Sequence, residues 1–168
     1  YTQVVVHTEA IMVGDSYLLC DWDDKSQRPR WTQQMAEMIL PHYNEVTREI
    51  DWASKKWVQR PEIGGEPETR LNIYYPDRVE KYVARGGVWR QYQDEADEVW
   101  PVPWVASNGE PLGIPIVHFR NRPMGGDFGQ SEILNVIPMQ DLLNKSLIDL
   151  TMIMDTLAFP QRYTLNVN

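Results

Sequence analysis

The feature that most constrains the fold is one long helical period near the C-terminus, behind a chain that otherwise reads as short strands and turns. Ile133, Val136, Leu143, Leu147, Leu150, Met154 and Leu157 recur at three- and four-residue steps, with Gln140 the one polar member of the stripe. That spacing places them on one wide face of an α-helix, and Asp141, Asn144, Lys145, Asp149 and Asp155 take much of the other side. Ser131 reads as the N-cap, with Glu132 adding negative charge to the first turn, where the helix dipole favours it. Pro138 falls inside the pattern and predicts a kink, or two helices with the second starting near it. Pro160 ends the run.

Upstream, residues 1–13 are apolar and fit the end of a helix or a strand. Gly14-Asp15 is a turn signal, Ser16 to Trp22 reads as a strand, and Asp23-Asp24-Lys25-Ser26 as a hairpin tip. Residues 27–37 are mostly polar, with Trp31 among them, and suggest a short helix or a loop. Met38 to Leu40 begins a strand-like piece, and Pro41 marks its end or an edge position. Between Glu45 and Gln59, strand pieces and one short helix fit equally well. Pro61 to Glu68 is a loop joining a hairpin. In the strand Arg70 to Tyr75, alternation places Leu71, Ile73 and Tyr75 inward against Asn72 and Tyr74. Pro76-Asp77 turns the chain, and Arg85-Gly86-Gly87 joins the strands Val79–Ala84 and Val88–Gln93. Residues 94–113 are expected as an exposed loop pinned by Trp100 and Trp104, before a strand over Ile114 to Phe119. The expected class is α+β, a mostly antiparallel sheet of hairpins with a long C-terminal helix packed on it. A single domain over 1–168 is expected, sheet-rich over 1–119 and helical over 131–159.

Net charge decides one class of function. The chain carries −8, about −2 over residues 1–60, −5 over 61–113 and −1 over 114–168. Tight binding to DNA phosphates needs clustered Lys and Arg, and no such cluster occurs. The single Cys20 excludes an internal disulfide and a cysteine-based zinc site; its strand-like setting suits a small buried hydrophobe. No window approaches 18 consecutive apolar residues, so no transmembrane helix is expected, and no signal peptide is visible.

Candidate chemistry is sparse. Asp21, Asp23 and Asp24 form a dense carboxylate group that would suit a divalent metal, or a solvated strand end running into a turn. The Gly125-Gly126-Asp127-Phe128-Gly129 loop lacks the Lys-Ser/Thr pair of a P-loop and fails the Rossmann spacing, so a turn is the better reading. His7, His42 and His118 show no metal spacing, and His118, in an apolar strand, reads as a hydrogen-bonded packing residue. No nucleophile-elbow signature is present. Of seven tryptophans, Trp22, Trp52 and Trp57 are expected to fill a sheet core. Trp89, Trp100 and Trp104 surround the acidic loop, where they would anchor a neighbouring chain or pin the loop within one subunit.

Several stretches in order resemble the portal proteins of tailed double-stranded DNA bacteriophages, especially those of actinobacterial phages. They are "VGDSYLLCDWD", the Tyr-x-Pro-Asp turn in "LNIYYPDRVEKYV", the strand "LGIPIVHFRN", the Gly-rich loop closing in "GQSE", the helix "ILNVIPMQDLLNKSLIDL" and the exit "LAFPQRYTL". The matches run from about Gly14 to Leu165 in the family's order. The resemblance implies a non-enzymatic subunit of a ring, typically of about twelve copies, at one vertex of the virion capsid, assembled in the host cytoplasm. Its partners would be copies of itself, the terminase motor, capsid or scaffold proteins and head-completion proteins. Double-stranded DNA would pass through the channel in packaging and ejection without specific binding. It implies no cofactor, no catalytic or metal-binding residue and no membrane. The chain matches the wing region. Because it starts at Tyr1 and stops in "LNVN", a fragment is expected, with stem and clip beyond Asn168. The other readings are a non-viral structural or interaction module of similar fold, and a metal-dependent enzyme built on Asp21, Asp23 and Asp24.

Overall fold

A computed structural model of the chain describes residues 2–23, 26–60, 66–94 and 97–158. Two compact units divide it, residues 1–131 and residues 132–168. The fold is α+β, with antiparallel sheets of hairpin strands and a long C-terminal helix.

The first unit opens with helix α1 (Thr2–Val13), one of the two states its apolar sequence allowed. Strands β1 (Asp15–Asp23) and β2 (Arg28–Gln34) form a hairpin, and β9 (Ile116–Arg120) pairs with the other side of β1 to complete a three-stranded sheet. The expected hairpin tip is in part outside the described residues, at Asp24 and Lys25. The helix or loop expected over 27–37 is instead mostly β2, followed by a 3₁₀ turn at Ala36–Met38. β2 is an exposed edge strand, so it has no apolar alternation to betray it; pairing with β1 makes it a strand.

The larger sheet runs β3 (Ile39–Tyr43), β4 (Ile50–Gln59), β5 (Glu68–Tyr74), β6 (Arg78–Arg85) and β7 (Val88–Gln91), with β8 (Val102–Pro103) also on β6. The ambiguous 45–59 stretch therefore resolves largely as one strand. The loop expected over 61–68 falls mainly on residues 61–65, outside the described residues. Pro41 sits on the edge strand β3, where a missing N–H costs least, and the register shifts between His42 and Tyr43. The inward face of β5 was expected one residue out of phase. Tyr74 is buried and Tyr75 is not, and Asn72 on Tyr74's face donates to its hydroxyl at 3.3 Å. Two adjacent tyrosines offer both phases, and the turn at Pro76-Asp77 leaves Tyr74 as the last ladder residue opposite Val79.

The core forms where the two sheets meet: Tyr17 and Ile116 from the smaller, Ile39, Ala53, Tyr74 and Val79 from the larger, with Leu19, Val102 and Trp104 packed against them. α1 buries Val6 and Ala10 and is tied down by Glu9. That carboxylate accepts from Ser16 Oγ at 2.8 Å, from the Ala36 backbone N–H at 3.1 Å and from Gln33 Nε2.

The second unit is the helix α2 (Ile137–Ala158). Ser131 is not its N-cap, and Glu132 is not in its first turn; residues 132–136 are turns. Pro138 occupies the opening turn, where its absent N–H has no carbonyl to lose, so the proline starts the helix rather than kinking it. Among the described residues no helix is long and apolar enough to cross a membrane.

Candidate functional site

One polar cluster is built around the first residues of β1. Gly14 turns the chain out of α1 with a φ of +109°, a conformation in which a β-carbon is strained. Gly129 crosses it so closely that a β-carbon there would overlap the Gly14 carbonyl oxygen and lie 2.6 and 2.7 Å from the backbone N and O of Asn121. The crossing is sealed by backbone bonds, Asn121 N–H to Gly14 O at 2.8 Å and Gln130 N–H to Asn121 O at 2.7 Å. The Asn121 side chain donates to Gln130 O at 2.8 Å, and Ser131 Oγ donates to Met12 O at 2.5 Å.

Asp15 then supplies the shared acceptor. Its Oδ1 takes the Gly129 N–H at 2.7 Å and lies 2.8 Å from His118 Nε2. His118 is placed by β9 opposite Tyr17, on which its ring stacks at 4.3 Å between centroids. Its Nδ1 is 2.5 Å from the Tyr43 hydroxyl at the end of β3. The His118 side chain is 2% exposed. Burial pushes its pKa down, against the hydrogen bond and charge of Asp15, and Arg120 adds to the lowering. Burial likewise raises the phenol pKa values of Tyr17 and Tyr43. The packing role expected for His118 therefore holds, with partners 103 and 75 residues away in the chain. The order Tyr–His–Asp is that of a general-base relay, but here the base is enclosed and its acceptor is committed to a backbone amide.

A second cluster pins the acidic loop. Lys81 Nζ reaches Asp94 Oδ2 at 2.8 Å and Asp97 Oδ2 at 2.7 Å, and Arg70 lies over the Tyr92 ring at 4.0 Å. Burial works against the Lys81 charge, yet the bonds to Asp94 and Asp97 outweigh it and hold its pKa above the ordinary lysine value. Trp100 Nε1 donates to Lys81 O at 3.1 Å, and its ring meets Tyr82 edge-on. Trp104 Nε1 donates to Gly113 O at 2.8 Å while its ring packs on the core. Trp89 stands apart on β7 and is 43% exposed. Trp100 and Trp104 thus make bonds within the chain, and Trp89 presents its ring to solvent. Of the other tryptophans expected in a sheet core, Trp22 is exposed and helps line an apolar cleft of about 380 Å³ with Cys20, Pro29, Trp31 and Trp104.

Among the described residues, Asp21 and Asp23 are each engaged by a separate partner. Asp21 pairs with Arg30 at 3.0 Å, Asp23 accepts from Ser26 Oγ at 2.8 Å, and Asp24 is outside the described residues. Among the described residues no group of three or more His, Cys, Asp or Glu is placed to hold a metal. A scan against protein-family models finds no match to this chain, and a search of curated proteins finds no significant relative.

Proposed function

We propose that this chain is part of a portal-ring subunit of a tailed phage or prophage, contributing to the wing around the DNA channel. The observation that carries the reading is the convergence of the stretches that resemble the family. Gly14 and Asp15 from "VGDSYLLCDWD", His118 and Asn121 from "LGIPIVHFRN", and Gly129 and Gln130 from the Gly-rich loop close on one another within hydrogen-bond distance. The Tyr-x-Pro-Asp turn is bound in the same way, Pro76 O accepting from Gly113 N–H and Asp77 O from Trp104 N–H. These contacts tie backbone to backbone and to the side chains of Asp15 and His118 inside the fold. A subunit that transmits force in a closed ring depends on such rigid crossings, and a mildly acidic surface does not hold passing DNA.

The test is negative-stain electron microscopy, with mass determination, on the protein expressed from its complete gene. Closed rings of about a dozen subunits with a central hole are expected of a cyclic heterologous assembly. A folded monomer or dimer at high concentration would refute the proposal.

A further inference from the structure

We propose that α2 is an association helix, whose apolar stripe packs parallel and in register against the same stripe of a second copy of this chain. The proposal rests on α2 alone and goes beyond the portal reading. The period carries it. From Val136 the stripe continues through Gln140, Leu143, Leu147, Leu150, Met154 and Leu157, in strictly alternating steps of four and three residues. That is a repeat of 3.5 residues and not the 3.6 of a straight α-helix, and a sustained 3.5 repeat keeps one seam turned toward a partner helix. The positions from Gln140 to Leu157 lie inside α2 and make three successive heptads. No residue of α2 is buried, and Leu143, Leu147 and Leu150 are each 53% exposed.

Charge and polarity select a copy of the same helix as the occupant. With Gln140, Leu147 and Met154 at position a of the heptad and Leu143, Leu150 and Leu157 at d, the charged residues Asp141, Lys145, Asp149 and Asp155 all fall at b, c or f. None stands at e or g, the positions that flank the seam and meet across it. A helix with three aspartates and one lysine would there repel its own copy; with those charges turned outward, two copies meet along an uncharged strip. Gln140 sets the direction. It donates one amide hydrogen to Asn144 Oδ1 at 2.9 Å, which leaves a second hydrogen and the carbonyl oxygen to spend. In parallel, in-register copies the two Gln140 amides face each other and satisfy both. Reversed pairing would set each amide against the apolar end of the other stripe, without that partner.

The area is sufficient for a stable pair. The 22 residues of α2 make a rod about 33 Å long, and about 13–14 Å across when a water radius is added to the side chains. At about 100° per residue, the arc from Leu142 round to Leu147 is apolar except for Ser146 and spans roughly two-fifths of the circumference. That is roughly 500–600 Å² on each copy. A pair would bury about 1,100 Å², above the roughly 1,000 Å² that a specific interface requires.

The experiment joins sedimentation equilibrium of this chain, whose monomer mass is 19.6 kDa, to cysteine cross-linking. Between about 1 and about 100 µM the weight-average mass is expected to rise above the monomer value. Leu150→Asp sets a charge on the seam and should weaken association by about 100-fold or more. Met152→Asp, the same change at an outward f position, should leave it as it was. In a Cys20→Ser background, Leu143→Cys and Leu157→Cys should each link to its own counterpart under mild oxidation, because in-register d residues face each other within disulfide reach. These cysteine variants read the same contact should Leu150→Asp unravel the helix. The proposal is overturned by a chain that stays monomeric at about 100 µM, by association that Leu150→Asp leaves intact, or by failure of either cysteine to link to its counterpart. None of these outcomes bears on the rings sought from the complete gene, so the two proposals fail separately.

Discussion

Gly129→Ala is the sharpest test of the crossing between the two glycines. Alanine is acceptable at this backbone conformation, so the whole effect is steric. The new methyl would meet only backbone atoms, Gly14 O and the N and O of Asn121, none of which ends a flexible side chain. Separating the strands enough to admit it breaks the Asn121 N–H to Gly14 O bond and strains the Gly129 N–H to Asp15 bond. At about 1 kcal/mol for a neutral hydrogen bond and about 1.5–3 kcal/mol for one to a charged group, the expected loss is roughly 2–4 kcal/mol. Gly126→Ala is the matched control: its β-carbon would meet nothing nearer than 4.0 Å, so a change within about 0.5 kcal/mol is expected. Urea unfolding of the three proteins measures this, read from the midpoint at constant m-value. A Gly129→Ala protein as stable as the Gly126→Ala control would show that the close approach is not a constraint, and the argument from it would fall.

Lys81→Met should destabilise the first unit by about 1–3 kcal/mol, because it leaves Asp97, whose side chain is 9% exposed, without its cation; an unchanged urea midpoint would refute it. Trp104→Ala should lower stability by about 3 kcal/mol through lost core packing. Trp89→Ala should leave the urea midpoint unmoved, because its ring is largely outside the core; under the proposed ring it should weaken assembly of the complete protein, and a loss of folding stability from Trp89→Ala would overturn that division. Acid should destabilise the chain in two windows. His118 has a folded pKa below its unfolded value, so its contribution is present above about pH 6.5 and is lost as pH falls from there through the lower folded value. Asp94 is pushed up by burial but held lower overall by Lys81 and Tyr92, so its contribution is lost only as pH falls below about 3.9. Urea midpoints against pH check both, and Asp94→Asn should match the wild-type curve's shape in the upper window while losing the lower step.

The strands that alternate or end at strong turns were readable from the chain. β1, β6, β7 and β9 follow from apolar pattern and from signals such as Gly14-Asp15 and Gly86-Gly87. β2 was not, because an edge strand such as Arg28–Gln34 needs no apolar face, and its partner supplies the conformation. Two signals compete for the start of α2, the capping chemistry of Ser131 and the backbone constraint of Pro138, and the helix begins at the proline, one of the two outcomes that residue allowed; the serine hydroxyl turns back to Met12 instead. At the relay, the character of His118 was legible from its apolar strand. Its partners were not: no local pattern announces a histidine that meets an aspartate 103 residues away, and only sheet registry brings them together. The glycines of the 125–129 loop showed a turn, but which one has no room for a methyl depends on the chain that passes beneath it.

Pro41 and the slipped register beside it give the larger sheet unequal borders. A strand edge is a template that invites any stray extended segment to zip on. Along β3 the proline presents no amide hydrogen, and the irregularity at His42 and Tyr43 breaks the even spacing that such zipping needs. Proteins whose open sheet edges pair with one another build fibres. On this border the danger is blunted by the covalent structure of the strand itself.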